Sequence, residues 1–162
     1  ETRLRLLTVR TVTDITPLKR IQSLQEDVLS ALAGGAELRA VGDFICRRIE
    51  AIAPDVVSSL LLVDEEQRLR PLAGPSLPVS FSASIDGVRV ADNLGSCGTA
   101  AFRGEEVAVL DIATDPRWET FRELPLGLGL RACWSSPIKL RDGRVVSDRL
   151  NTNPVPVREL DW

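Results

Sequence analysis

The sequence predicts an α+β fold, helices followed by antiparallel strands with short helical excursions. Two observations carry this. Two helical stripes follow one another early in the chain, and the later apolar segments are short, strand-like and separated by turn residues. No internal repeat or low-complexity run competes, and 162 residues suit one domain with an appendage.

"LRLLTVRTVTD" (Leu4–Asp14) alternates branched and polar residues and reads as a strand with one lapse in register. Thr16 is an N-cap and Pro17 fits the first position of the following helix, which Gly34-Gly35 ends. Within it Leu18, Ile21, Val28 and Leu32 fall at coiled-coil-like spacing with Gln25 in the remaining slot, a dimer or signalling stripe or a helix lying on its own domain. Leu38, Val41, Ile45, Ile49 and Ile52 form a second stripe, closed by Pro54. "VVSSLLLV" (Val56–Val63) is a buried strand, and "LRPLAG" (Leu69–Gly74) returns beside it near a sheet edge, because Pro71 lacks a donor. The Ser/Pro-rich stretch after it is a loop or short surface helix, and "GVRV" a short strand. "LGSCGTAAF" is a glycine turn entering a helix, and "EVAVL" (Glu106–Leu110) a strand. Asp115 caps a helix with Pro116 at its start and Trp118 and Phe121 on one face, ended by Pro125 and Gly127-Leu-Gly129. "RACWSSPIKL" (Arg131–Leu140) is a strand, "RDG" a hairpin turn, and "RVV" starts another strand. The tail from Ser147 loses the pattern.

Composition closes several functional classes. A net charge of −3 steers the chain neither to nucleic acid nor to anionic lipid. No apolar run approaches the roughly 20 residues of a membrane span, and the first residues lack a signal peptide's apolar core. Three widely spaced cysteines, Cys46, Cys97 and Cys133, suit a reduced, cytoplasmic setting. The chain has no histidine, so no Ser-His or Cys-His catalytic pair, His-ligated haem or Cys/His zinc site is available.

"NLGSCGTAAFRGEEVAVLDIATDPRW" and "GLRACWSSPIKLRDGRVV" together strongly resemble a GAF domain, of the type set between PAS domains and GGDEF/EAL domains in bacterial cyclic-di-GMP signalling proteins. "TVRTVTDITPLKRIQ" resembles the last strand of a PAS domain and the helix that leaves it. The resemblance implies a central antiparallel sheet of about six strands, with helices on one face and a pocket on the other. It divides the chain into a PAS end (1–14), a linker helix (15–35), a GAF domain (36–146) and an atypical tail (147–162). The family's last strand lies inside the sheet, beside Val56–Val63. Here either "VVSDRL" supplies a shortened version or the tail is truncated or non-native. As a module, the resemblance implies a cytoplasmic sensor that is not itself an enzyme. It would dimerise through its first helix, with output domains in cis and an unidentified small-molecule ligand.

The pocket candidates are Cys97, Thr99, Phe102, Trp118, Phe121, Cys133, Trp134 and Ser135. Asp111, Asp115, Arg117 and Arg131 either anchor a polar ligand or form solvated ion pairs. The glycine turn lacks the Lys-Ser/Thr that a phosphate cradle requires. Cys97 and Cys133 match the cysteine places of GAF-fold free methionine-R-sulfoxide reductases, the enzymatic alternative. Such chemistry needs a thiolate, a proton donor and a resolving thiol. Trp134 and Ser136 stand where those enzymes carry acids, and Ile85-Asp86-Gly87 where they carry a further cysteine. No cyclic-nucleotide motif matches, and a bilin, which needs Cys with nearby His, is not expected. The other reading of Cys97 is a small residue in a tight turn that lets a helix approach the sheet.

Overall fold

A computed structural model describes residues 15–140 and 143–151, and the chain divides into two compact units, Glu1–Glu37 and Leu38–Trp162. The strand expected at Leu4–Asp14 lies outside the described residues. In the first unit, α1 spans Ile15–Ala33. The two glycines end it as expected: Gly35 takes φ 74°, and the Ala36 N–H bonds back to the Ala31 carbonyl at 3.1 Å. A side chain at Gly35 would strain that left-handed turn. Of the expected stripe, Val28 is half-buried, while the side chains of Leu18, Ile21 and Leu32 fall outside those described.

The second unit is an antiparallel sheet with helices on its faces. α2 (Leu38–Ile52) leads into β1 (Val56–Val63) and β2 (Leu69–Ala73). Next come α3 (Val79–Ile85), α4 (Gly95–Arg103) and β3 (Val107–Val109). A 3-10 turn at Pro116–Trp118 and α5 (Glu123–Gly127) precede β4 (Ala132–Leu140) and β5 (Gly143–Asn151). The strand order is β2-β1-β5-β4-β3, which puts Pro71 on an edge strand, where its missing donor costs nothing. Among the described residues the sheet has five strands. The Gly87–Val90 segment, expected as a further strand, makes one bridge, Arg68 with Arg89, and backbone bonds to Gln67 and Leu69, and does not extend into a sixth strand.

β5 lies at the centre, paired with β1 from Val56↔Asn151 to Val63↔Arg144 and with β4 from Ala132↔Asn151 to Leu140↔Gly143. The segment "VVSDRL" therefore supplies the interior strand, which runs on across the boundary expected at Val146. Its polar composition is no obstacle, because sheet pairing is made by backbone N–H and C=O groups. Leu150, fully buried, anchors its end in the core.

Strand alternation separates two apolar layers. Leu60, with Leu62 at its margin, joins Cys46, Leu72 and Ala73 beneath α2. Leu61 and Val63 join the larger cluster with Phe81, Cys97, Trp118, Cys133 and Leu150. The two ends of the second helical stripe, Leu38 and Ile52, are exposed, and the helix instead centres its contact on Val41, Gly42 and Cys46. The reason is close approach: a Cβ on Gly42 would stand 2.9 Å from the Ala73 Cβ. Counting apolar side chains misses a contact made by the absence of one. Burial pushes the Cys46 thiol up to about 11, so it is held as an unreactive thiol that fills space.

Candidate functional site

The glycine turn forms as the sequence suggests. Asn93 and Gly95 both take φ 59°, and α4 starts at Gly95. Its first two turns are almost wholly buried, which the small side chains of Ser96, Cys97, Gly98, Thr99 and Ala100 permit. The Thr99 hydroxyl donates to the Gly95 carbonyl at 2.6 Å, and the Cys133 thiol donates to Ser96 Oγ at 3.1 Å. That second bond ties α4 to β4 through two buried side chains.

Beside this helix start lies a cavity of about 30 Å³. Its walls are Leu69 of β2, Phe81, Ser84 and Ile85 of α3, and Val88 and Leu94 of the following loop. Gly95 and Cys97 of α4, then Trp118, Phe121 and Leu124, complete it. No carboxylate, lysine or arginine side chain is among them. The cavity is partly open to solvent, and its inner space is that of about one water-sized group.

Of the eight expected pocket residues, Cys97, Trp118 and Phe121 line this cavity. Cys133 stands behind the wall on Ser96, and Thr99 and Ser135 are buried in the helix–sheet packing. Two expectations need correction. Trp134 is half-buried and absent from the lining, because adjacent strand residues face opposite ways and Cys133 takes the inner side. Phe102 is 57% exposed: the helical period that turns Cys97, Ala100 and Ala101 inward turns it out. The Ser/Pro-rich stretch, weakly patterned in sequence, supplies α3 and three wall residues. Phe81 and Ile85, spaced four apart, are the signal that could have found them.

Asp115 positions the tryptophan. Its Oδ1 accepts the Arg117 backbone N–H at 2.9 Å, capping the 3-10 turn that carries Trp118. The Arg117 guanidinium closes on the same carboxylate, with Nη2 2.6 Å from Oδ2. Arg117 thus forms an ion pair and does not reach into the cavity, and Asp111 is occupied with Ala113 N–H and the Thr114 hydroxyl. The guanidinium bond holds the Asp115 carboxyl below its usual 3.8, against the upward push of burial. A carboxyl lowered on folding contributes stability that is complete above about 3.8 and is lost as pH falls through the folded-state value. Asp115→Asn is expected to lower stability at neutral pH by about 1 kcal/mol, since a charge-assisted bond becomes neutral. It should also flatten the fall in Tm below about pH 4, read by calorimetry across pH. An unchanged acid slope would mean that Asp115 is not coupled to folding.

These features define a class: a five-stranded antiparallel sheet whose helix-entering glycine turn floors an apolar cavity. A family model described as GAF domain matches residues 35–147, and the chain belongs to the GAF domain family. It is 39% identical over 137 residues to the methyl sulfide methyltransferase-associated sensor of Methanosarcina acetivorans. That match covers 82% of this chain, which spans only 14% of the relative's length. Among solved structures, the GAF domain of an Acinetobacter phosphoenolpyruvate-protein phosphotransferase aligns with TM-score 0.60 at 18% identity, covering 85% of this chain and 79% of that one. Free methionine-R-sulfoxide reductase from Neisseria meningitidis aligns with TM-score 0.63 at 17% identity, covering 86% and 78%. At these identities the likeness concerns the fold. Among the described residues no helix is long and apolar enough to cross a membrane, and no cluster of three or more His, Cys, Asp or Glu could hold a metal.

Proposed function

We propose that this GAF domain is the sensory and regulatory module of a larger signal-transduction protein. It takes a small molecule, or registers a redox event, in the cavity beside α4 and passes a conformational change to an output domain in cis. The observation that carries this is the cavity itself: apolar, next to a thiol, and without a group that hands over protons. The name of the Methanosarcina relative, a sensor, agrees with it. A ligand shifts such a module only by binding one of its states better than the other. Upstream, residues 1–14 end a PAS domain and α1 is the signalling helix of a dimer. Downstream, the output is a GGDEF or EAL domain that makes or degrades cyclic-di-GMP. The setting is cytoplasmic.

Two measurements test this. Combined Ile21→Glu and Val28→Glu substitutions are expected to convert a dimer to monomers by light scattering, as like charges meet across an apolar seam. An unchanged dimer would move the interface elsewhere. Thiol-dependent turnover of free methionine-R-sulfoxide is expected to be absent, because the cavity wall offers no acid to protonate the departing oxygen. Turnover that Cys133→Ser abolishes would replace sensing by reductase chemistry on Cys133 and Cys97.

A further inference from the structure

We infer that a second groove, lined by charges of both signs, binds a small zwitterion with an apolar side chain, of the chemical class of a free aliphatic α-amino acid. The groove lies between α2, the edge strand β2 and α3. Its volume is about 480 Å³, within the usual range of small-molecule sites. It shares no lining residue with the cavity beside α4. The helix α3 serves both, with Phe81 and Ile85 in the wall of the cavity and Val79, Ser82 and Ala83 in that of the groove.

Charge complementarity names the occupant. Arg39 and Asp43 both line the groove and stand four residues apart on α2, about one helical turn. Opposite charges at this spacing are neighbours able to pair with each other. Here they do not. The Arg39 Nη2 donates to the Pro71 carbonyl at 3.4 Å, and among the described residues no cation pairs with Asp43. The guanidinium has five donors, so most of them are left for another acceptor. Asp86, also in the wall, adds a second carboxylate, held by Arg70 at 3.1 Å. A lone anion on Arg39 would meet the Asp43 charge, and a lone cation on Asp43 would meet Arg39. A molecule with carboxylate and ammonium on one carbon satisfies both side chains at once.

The remaining wall suits an aliphatic group. Pro71, Pro75, Leu77 and Val79 contribute apolar surface. Val79 is 86% exposed, more than any other large hydrophobic side chain among the described residues, so covering it removes apolar area from water. An added peptide strand fits less well than a small molecule. Along β2, Leu69 already bonds Gly87 and Val88 through its backbone, and Pro71 has no N–H to offer a partner.

The test titrates L-leucine, N-acetyl-L-leucine and L-leucinamide into the 162-residue chain, with the amide resonances of Gly74, Ser82 and Ala83 as reporters. N-acetyl-leucine lacks the cation and leucinamide lacks the anion. Leucine is expected to shift the reporters saturably and to bind about fivefold more tightly than either derivative, the upper range for one exposed charge contact. Raising the salt concentration should narrow that advantage. Arg39→Gln is expected to bring leucine to the leucinamide level, and Asp43→Asn to bring it to the N-acetyl-leucine level. If a variant does not fold, the three wild-type titrations decide alone. Either derivative binding as tightly as leucine, or failure of leucine to saturate, would overturn the inference. Neither result bears on the cavity beside α4, whose wall is built from other residues.

Discussion

Leu150→Ala is expected to lower the unfolding free energy by about 3 kcal/mol, the cost of removing a fully buried leucine where the surroundings cannot collapse. Leu150 stands opposite Val57 of β1 and Cys133 of β4, on the central strand. A pairing partner flanks it on each side, and neither can move inward without breaking its own ladder. Urea unfolding should show a lower midpoint with an unchanged slope. Truncation after Val146 goes further, since it removes the partners of Val56–Leu60 and of the first half of β4 together. It is expected to abolish cooperative unfolding. If Leu150→Ala instead costs less than about 0.5 kcal/mol, as surface substitutions do, the residues after Val146 do not belong to the sheet.

Trp118→Ala is expected to cost about 4 kcal/mol, in the range for deleting a buried aromatic side chain. The indole belongs to the main core cluster and forms one wall of the cavity, so truncation merges the existing space with the volume of the ring. Trp134→Ala should cost less, because that ring is half-buried and lies outside the cavity wall. Thermal or urea unfolding of both variants ranks them. A larger loss at Trp134 would mean that β4 presents the opposite face to the core. The two tryptophans thus test, by stability alone, which side of the strand looks into the cavity.

Much of this arrangement is legible locally. Pro71 announces an edge strand, Gly34-Gly35 a helix end and Asp115-Pro116 a capped turn, because each of these acts through its own backbone or its nearest neighbours. The turn from Asn93 to Thr99 likewise needs only its glycines and small side chains to enter a helix closely packed on the sheet. The cavity is less legible. Three of its walls come from a Ser/Pro-rich stretch whose helix is only seven residues long, too short to show a period. Trp134, a pocket candidate beside Cys133 in sequence, lies outside the cavity wall because pleating sends neighbouring strand residues to opposite sides.

The sequence by itself determined the α+β class, most element boundaries, the absence of histidine chemistry and the small-residue helix start, since these depend on residue type and on contacts within a few positions. Only the tertiary structure decided that a polar segment forms the central strand, that Gly42 permits a close helix–sheet approach, and that the cavity wall carries no charged side chain. Those facts are set by which distant segments pair and pack, and pairing runs through backbone groups that every residue carries alike.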